Sequence, residues 1–288
     1  MNFIYETLRI LYNLPKNLYK KINLIIYKYL FRINKNYLRR KFIELGLKKG
    51  MNIYVHSSLS SFGYIEGGAN TIINALDNII KNGTIMIPTF THSKKEFKLN
   101  NPCWTGKVAE KFRNNKNVKR SIHPTHSVAV KGKYADYLTK NHERSRSPFD
   151  RNSPFSRFAK LNSYILMLGT ENNSMIHYIQ NKVKFPNLFL PEFYKFRSRN
   201  KIINTKMHHP KGSITYIYNK KPCTDVKFLV NMYKDEKFEE KGYMKTVRIG
   251  NATCHLINTK NFVKASEKYL KNNIKRYKSQ YSSLIKNG

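Results

Sequence analysis

The sequence contains few of the residues that indicate a secreted, metal-stabilised or membrane-spanning protein. Its three cysteines are odd in number, widely spaced and without a C-x-x-C pair: Cys103, Cys223 and Cys254. Such a set argues against a disulfide framework or a structural zinc site, and it favours a reducing compartment. The longest apolar runs, such as residues 24–27, are far shorter than the ~20 residues that span a bilayer. We therefore expect a cytoplasmic protein without a bound metal.

Acidic residues are also scarce. The chain has 17 Asp and Glu against 54 Lys and Arg, which gives a formal net charge of +37 over 288 residues. An excess of this size indicates anionic partners, such as nucleic acid, an anionic membrane surface or phosphorylated ligands. Because the charge is spread along the whole chain, we assign only part of it to function. The excess of positive charge favours polyanionic ligands over polycationic ones.

The N-terminal segment has a helical pattern of its own. Apolar residues recur at spacings of three and four within residues 1–35, with lysines between them. This pattern predicts a basic amphipathic helix, which could either dock on the core or lie on an anionic membrane surface. We divide the chain into this extension, a main domain over 36–272 and a basic tail over 273–288.

From residue 51 onward, short apolar strands alternate with amphipathic helices. A strand over 51–56, a helix over 69–81 and a strand over 84–88 form a β-α-β unit, which implies parallel strands. Further strands are predicted over 126–130, 164–168 and 215–218, and further helices over 108–114, 174–181, 228–234 and 262–271. We therefore predict an α/β fold with a mixed, largely parallel central sheet flanked by helices, plus the added N-terminal helix.

Polar residues follow three of these strands at their carboxyl ends. The three clusters are His56-Ser57-Ser58, Thr89 with Thr91, and Thr170-Glu171. In open α/β sheets, ligands bind beyond the carboxyl ends of the strands. If the three strands are parallel, the clusters face one crevice. The pattern thus predicts the place of a site but no reaction.

The densest polar segment runs from Arg120 to Ser127 and reads R-S-I-H-P-T-H-S. His123 and His126 have the spacing of a metal-binding pair, but no third ligand follows at a recognisable spacing. The alternative is a loop that leads into a strand, with His126 partly buried.

Five motifs occur in a fixed order along the chain: VHSSLSSFGYIEGGANTIINAL, GTIMIPTFTH, R-S-x-H-P-T-H-S-V-A, SPF-x-R and LMLGTENNSMIH. Together they resemble the aminoglycoside 3-N-acetyltransferase family, which also contains N-acetyltransferases of nucleotide-linked amino sugars. The resemblance covers residues 38–182 well and is weaker over 183–265, where R-I-G-N-A at 248–252 is similar to the family's closing strand. It does not extend to the first 35 residues.

The resemblance implies an α/β core, acetyl-CoA as the donor, and direct transfer of the acetyl group to an amine without an acyl-enzyme. It also implies a coenzyme channel lined by His56, Ser57, Ser58, Leu59, Thr89, Thr91, Arg120, Ser121, His123, Thr125, His126 and Ser127. Serine hydroxyls can bond the pantetheine amides, and the planar fork of Arg120 can pair with a phosphate. The acceptor would contact Glu171, Asn172 and Asn173.

The general base follows from the same resemblance. His177 matches the histidine of the family's L-H-x-A-E motif, and an imidazole suits proton removal from an amine at neutral pH. The glutamate of that motif is replaced by Gln180, and the acidic W-V-E segment of the antibiotic-modifying members has no clean counterpart. Met207-His208-His209-Pro210 stands there instead, which leaves open whether His208 or His209 shares or replaces the base role.

The acceptor stays open between an aminoglycoside and a nucleotide-linked amino sugar. Between Phe158 and Lys234 there are three acidic residues against 13 Lys plus Arg, an excess that repels a polycation and attracts a pyrophosphate. Four arginines within 142–157 form either a phosphate clamp or a solvated loop.

Two other function classes remain at this stage. The charge alone would suit a nucleic-acid-binding protein without enzyme activity, although no recognised binding motif is present. A zinc hydrolase built on His123 and His126 is the other. For the acetyltransferase we expect acetyl-CoA and a small amino sugar as partners and no specific nucleic acid. Contact with a membrane surface through 1–35 and a homo-oligomer are left open.

Overall fold

We describe the fold from a computed structural model of the chain. The structure describes residues 15, 18, 29, 32–92, 95–185, 188–198, 200–208, 216–218, 221–223 and 225–286. The helix predicted over residues 1–35 lies almost entirely outside the described residues, and so does His209. Among the residues that are described, no helix is both long enough and apolar enough to cross a bilayer.

Helices and strands alternate through most of the chain. The helices are α1 (Lys35–Leu45), α2 (Gly68–Ile80), α3 (Lys107–Arg113), α4 (Ala135–Thr139), α5 (Pro154–Phe158), α6 (Met175–Lys182), α7 (Asp225–Asp235) and α8 (Thr259–Lys286). The strands are β1 (Asn52–Ser57), β2 (Thr84–Pro88), β3 (Lys119–Arg120), β4 (Val128–Gly132), β5 (Ser163–Leu168), β6 (Phe189–Ser198), β7 (Lys201–His208), β8 (Tyr216–Tyr218), β9 (Lys221–Cys223), β10 (Met244–Ile249) and β11 (Ala252–Asn258). The proposed domain boundaries fall within helices, since α1 begins at Lys35 and α8 continues past residue 272.

Seven strands form the central sheet, in the order β10-β11-β5-β1-β2-β4-β3. β1 pairs in parallel with both β2 and β5, and the other four pairings are antiparallel. The prediction of a mixed α/β sheet is confirmed, but its parallel part is limited to three central strands rather than most of the sheet. One reason is that β10 and β11 are joined by a two-residue turn, and a turn this short can only join antiparallel strands.

Hydrophobic residues cover both faces of the sheet. Ile53 and Val55 of β1 pack on one face with α1, α2 and α3, while Tyr54 packs on the opposite face with α5, α6 and α8. Successive side chains of a strand point to opposite faces, so a strand buried on both sides is an almost continuous apolar run. This is why β1, β2 and β5 could be recognised from the sequence.

A small hairpin lies outside the central sheet. β6 and β7 pair with each other to form a separate two-stranded sheet. Phe196 and Ile203 are buried, but most of the other described side chains of β6 are exposed. The sequence did not predict this hairpin, because β6 lacks regular alternation of apolar and polar residues.

Arg120 joins three segments at the end of β2. Its Nε lies 3.0 Å from Ser127 Oγ, and its terminal nitrogens donate to the carbonyl oxygens of Thr89 (2.7 Å), Leu99 (2.8 Å) and Asn101 (2.5 Å). Burial lowers the pKa of the guanidinium to about 10, and the charge of a neighbouring arginine adds to this shift. The group remains charged at neutral pH, and most of its donors are already bonded to the protein.

We expect Arg120→Lys to lower the free energy of unfolding by about 2 to 4 kcal/mol, because an ammonium cannot reach all of these oxygens and leaves buried acceptors without donors. Urea unfolding measures this change. Arg248→Lys, at an exposed position, is the matched control and should stay within about 0.5 kcal/mol of the unchanged protein. An Arg120→Lys variant as stable as this control would contradict the bracing role.

Two imidazoles are fully buried between β3, β4 and the β6–β7 hairpin. The rings of His123 and His142 stack with centroids 4.5 Å apart. His123 Nδ1 accepts the backbone N–H of His126 at 3.0 Å, and His142 Nδ1 lies 2.9 Å from the hydroxyl of Ser121. Burial lowers the pKa of His142 to about 3 and holds the pKa of His123 well below its ordinary value. Both rings are therefore neutral in the folded protein.

Stability should consequently fall as the pH drops below 6.5. The unfolded chain binds a proton on His142 at about pH 6.5, whereas the folded protein does so only near pH 3, so unfolding takes up protons between these values. His142→Gln should reduce the slope of unfolding free energy against pH by about 1.4 kcal/mol per pH unit. Urea unfolding between pH 4.5 and 6.5 measures this slope. An unchanged slope in the variant would contradict the burial of a neutral ring.

Candidate active site

A cleft of about 1110 Å³ opens at the carboxyl ends of β1, β2 and β5. The parallel pairing of these strands brings their polar ends to one edge of the sheet, as the sequence pattern requires. The strand ends contribute His56, Ser57, Ser58, Leu59, Phe90, Thr91, His92, Thr170, Asn172, Ser174 and His177 to the lining.

The turn that follows β5 at this edge of the sheet requires a glycine, which is Gly169. Its φ is +67°, and a Cβ built on it would lie 2.8 Å from Ser61 Cβ and 3.0 Å from Ala252 Cβ. Both the left-handed backbone and the close approach require glycine. The turn lets the chain leave β5 and run along the cleft to α6.

Four histidines from different segments line the cleft: His56 at the end of β1, His92 after β2, His126 before β4, and His177 in the first turn of α6. The ring of Phe149 lies beside two of them, with its centroid 5.0 Å from that of His126 and 5.3 Å from that of His177. Tyr54, whose hydroxyl lies 2.6 Å from Ser174 Oγ, packs against the ring of His56 at 4.5 Å. The imidazoles of His56, His126 and His177 are therefore held by buried aromatic rings.

His177 has a defined tautomer. Its Nδ1 lies 2.8 Å from Oε1 of Gln180, one turn further along α6. An amide oxygen only accepts, so Nδ1 carries the hydrogen and Nε2 is the acceptor nitrogen. Gln180 is fully buried, which keeps the pair in place.

Two of the other cleft histidines, His56 and His126, are poor proton acceptors. Burial lowers the pKa of His56 to about 3, and the charge of His177 adds to this effect. Burial likewise holds the pKa of His126 well below its ordinary value, with smaller contributions from His123 and His177. His126 Nδ1 also lies 2.8 Å from Thr125 Oγ1. Both rings are neutral across the physiological range.

The residues predicted to bind the coenzyme divide into two groups. The cleft is lined by His56, Ser57, Ser58, Leu59, Thr91, Thr125 and His126. Thr89, Arg120, Ser121, His123 and Ser127 lie behind this lining and bond mainly to one another or to the backbone. In the segment before β4, Thr125 and His126 face the cleft, whereas His123 and Ser127 on either side face the core.

The residues predicted to contact the acceptor also divide. Asn172 lines the cleft, but Glu171 and Asn173 face the other way. Glu171 Oε1 lies 2.8 Å from His255 Nε2 on β11, and the Asn173 amide lies 3.4 Å from the Tyr233 hydroxyl. Of the two other histidines considered for the base, His208 ends β7 next to Met207, which lines the cleft, and His209 lies outside the described residues.

Sequence reasoning missed the segment Trp104-Thr105-Gly106-Lys107, which lines the cleft between β2 and α3. The one available signal was the chain's only tryptophan standing in a polar loop. Trp104 is 55% exposed. Among the described residues that line the cleft there is no Asp or Glu, and Lys107 is the only Lys or Arg.

His123 and His126 do not form an open pair of metal ligands. Their ring centroids are 6.2 Å apart at a steep angle, and His123 Nδ1 is occupied by backbone N–H groups. In the part of the chain that the structure describes, no three His, Cys, Asp or Glu side chains come together as a metal-binding group.

Comparisons with known proteins agree with the motifs. The sequence model of a family described as aminoglycoside 3-N-acetyltransferase matches residues 54–271. The SPbeta prophage-derived aminoglycoside N(3')-acetyltransferase-like protein YokD of Bacillus subtilis is 28% identical over 263 residues, which cover 80% of this chain and 89% of that protein. Aminoglycoside N(3)-acetyltransferase III of Salmonella sp is 30% identical over 169 residues, 50% of this chain and 59% of that enzyme.

The fold is shared with a solved structure as well. The complex described as AAC-IIIb binary with CoASH has a TM-score of 0.72 at 17% identity, and covers 84% of this chain and 98% of its own. The family match confirms the predicted enzyme class, an N-acetyltransferase, and sets aside the non-enzymatic nucleic-acid-binding alternative. This chain belongs to the aminoglycoside 3-N-acetyltransferase family.

Proposed function

We propose that this chain transfers the acetyl group of acetyl-CoA directly to an amino group of a sugar, with His177 as the general base. The observation that carries the proposal is the pairing of His177 Nδ1 with Gln180 at 2.8 Å, in a cleft at the strand ends of a chain of this family. The pairing directs the basic nitrogen, Nε2, away from Gln180.

His56, His126 and His177 differ in their fitness for this role. A general base works best when its pKa is near the operating pH. His56, with a pKa of about 3, and His126, with a pKa well below its ordinary value, would release a proton too readily to hold it during the reaction. His177 is only half-buried and has a hydrogen-bond partner that tolerates its protonated form. The amine nitrogen bonds to the acetyl carbon, the carbon–sulfur bond breaks, and Nε2 takes the amine proton. The resulting imidazolium then gives this proton to the departing sulfur, so coenzyme A leaves as the thiol and His177 is neutral again.

The lining suits the narrow arm of acetyl-CoA. Ser57, Ser58 and Ser60 offer hydroxyl and backbone groups for amides, while Leu59 and Ile65 supply apolar contacts. A volume of about 1110 Å³ exceeds what one small ligand needs. We infer that both substrates lie together in this cleft, which removes much of the entropic barrier to their reaction.

The charge of the lining bears on the acceptor. A polycationic aminoglycoside needs carboxylates around it, and the described lining residues include none, whereas Lys107 adds a positive charge. We therefore propose an amino sugar with few positive charges, and among these a nucleotide-linked amino sugar, whose phosphates this lining attracts.

A thiol-release assay tests the activity and the acceptor together. With acetyl-CoA present, we expect coenzyme A release with one or more amino-sugar nucleotides and much slower release with polycationic aminoglycosides. Acetyl-CoA alone at 100 times its dissociation constant should stabilise the fold by about 2.7 kcal/mol, because it binds only the folded state. No thermal shift at millimolar acetyl-CoA would overturn the proposed donor, and preferred use of aminoglycosides would overturn the proposed acceptor.

Substitutions of the base pair test the mechanism. His177→Ala should lower kcat by roughly 10²- to 10⁴-fold and leave the KM for acetyl-CoA nearly unchanged, since the base acts on the amine. Gln180→Glu should move the acidic limb of kcat/KM against pH to higher pH, because a carboxylate beside Nδ1 favours the imidazolium. Steady-state kinetics over pH 5 to 9 measures both effects.

The comparison with the neighbouring histidines decides between the candidates for the base. His208→Ala and His209→Ala should keep turnover within a few-fold of the unchanged enzyme if His177 is the base. Near-normal turnover in His177→Ala, together with loss of turnover in either of these two variants, would place the base at His208 or His209 instead.

A further inference from the structure

The rim of the cleft carries an aromatic surface that the proposed base and lining serines do not use. The indole of Trp104 stacks on the imidazole of His92 with ring centroids 5.3 Å apart and an interplanar angle of 11°. The ring of Phe90 meets the indole edge-on at 5.8 Å. We call these three residues, all of which line the cleft, the aromatic platform.

Hydrogen bonds fix the loop that carries Trp104. The backbone N–H of Trp104 donates to the carbonyl of Phe90 at 3.0 Å, and the hydroxyl of Thr105 donates to the carbonyl of Pro88 at 2.6 Å. The backbone N–H of Cys103 donates to Glu110 at 2.9 Å. The loop is thus fixed to the end of β2 and to α3 before any ligand arrives, so a ligand that stacks on the indole does not have to order the loop.

Trp104 leaves apolar surface available. It is 55% exposed, although its neighbours fix its position. A large aromatic side chain that remains in water loses the free energy that its burial would contribute. The exposed surface of this indole, at the mouth of a cleft, is suited to cover a flat ligand ring.

The charge near Trp104 indicates which kind of flat ligand ring would bind there. Lys107, three residues further along the chain at the start of α3, also lines the cleft, and the described lining residues include no carboxylate. An indole next to a lysine matches the combination of a base and a phosphate in a nucleotide, because bases stack on aromatic side chains and phosphates pair with cations. An uncharged sugar ring would not form an ion pair with Lys107.

We infer that the aromatic platform, together with Lys107, binds the nucleotide part of a substrate, with the base stacked on Trp104. This inference rests on the proposed function, in which both substrates carry a nucleotide: the adenosine of acetyl-CoA and the nucleotide of the acceptor. Trp104 is then a binding residue that is separate from the transfer step at His177.

Because Trp104 is the only tryptophan of the chain, its emission reports directly on the platform. We expect quenching of this emission by coenzyme A if the adenine occupies the platform, or by uridine or thymidine diphosphate if the acceptor base does. Pantetheine 4'-phosphate and glucosamine, which have no base, should leave the emission unchanged. Quenching by glucosamine, or by none of the nucleotides at saturation, would overturn the inference.

Substitution provides the second test. By calorimetry, Trp104→Ala should weaken the binding of the quenching nucleotide by about 5- to 150-fold, and Trp104→Phe should weaken it less. Affinity for pantetheine 4'-phosphate should not change in either variant. Tyr194→Ala, which removes an exposed aromatic ring from β6 at a position outside the cleft lining, is the matched control and should bind every probe normally.

The outcomes separate this inference from the proposed function. If Trp104→Ala binds nucleotide within twofold of the unchanged protein, or loses nucleotide and pantetheine 4'-phosphate equally, the platform does not bind a base, even when acetyl transfer proceeds. If no acetyl-CoA turnover occurs with any amine, the proposed function fails, whereas base-dependent quenching and its loss in Trp104→Ala would still support the platform.

Discussion

The parallel pairing of β1 with β2 and with β5 is the constraint on which the site depends. Each of these strands ends in polar residues, and only a parallel arrangement brings the three ends to one edge. β11 and β4, the antiparallel strands directly beside them, extend the sheet without adding carboxyl ends to this edge. The direction of these strands thus determines where the cleft lies. The apolar residues that bury β1 on both faces keep the strands in position.

Burial lowers the pKa of four histidines in this protein, and this has two consequences. It keeps the imidazoles of His123 and His142 neutral, so each can accept a backbone or hydroxyl hydrogen and brace the wall of the cleft. It also makes His56 and His126 weakly basic, although both line the cleft. The same desolvation therefore adds an acid-sensitive element to the fold.

Much of the fold could be predicted from the sequence, because β1, α2, β2 and β5 combine strong apolar periodicity with glycine at their boundaries. Side-chain direction in the loops could not be predicted. Asn172 faces the cleft and Glu171 faces away from it, a difference that depends on the exact path after Gly169. Arg120 shows the same limit, since a guanidinium suits a phosphate and a cluster of carbonyl oxygens equally well by residue type. Trp104 belongs to no motif, so only the fold reveals its place at the cleft.

The β6–β7 hairpin has a consequence for how this enzyme can diversify. It contributes Leu190 and Met207 to the cleft, yet it forms its own sheet. It contacts the rest through the buried Phe196 and Ile203 and through backbone hydrogen bonds such as Lys206 N–H to Arg146 O at 2.9 Å. We expect substitutions on its exposed faces to leave the central sheet intact. The shape and charge of this wall of the cleft can therefore change during evolution at little cost in stability. Members of a family that share one acetyl-transfer reaction can in this way acquire new acceptors.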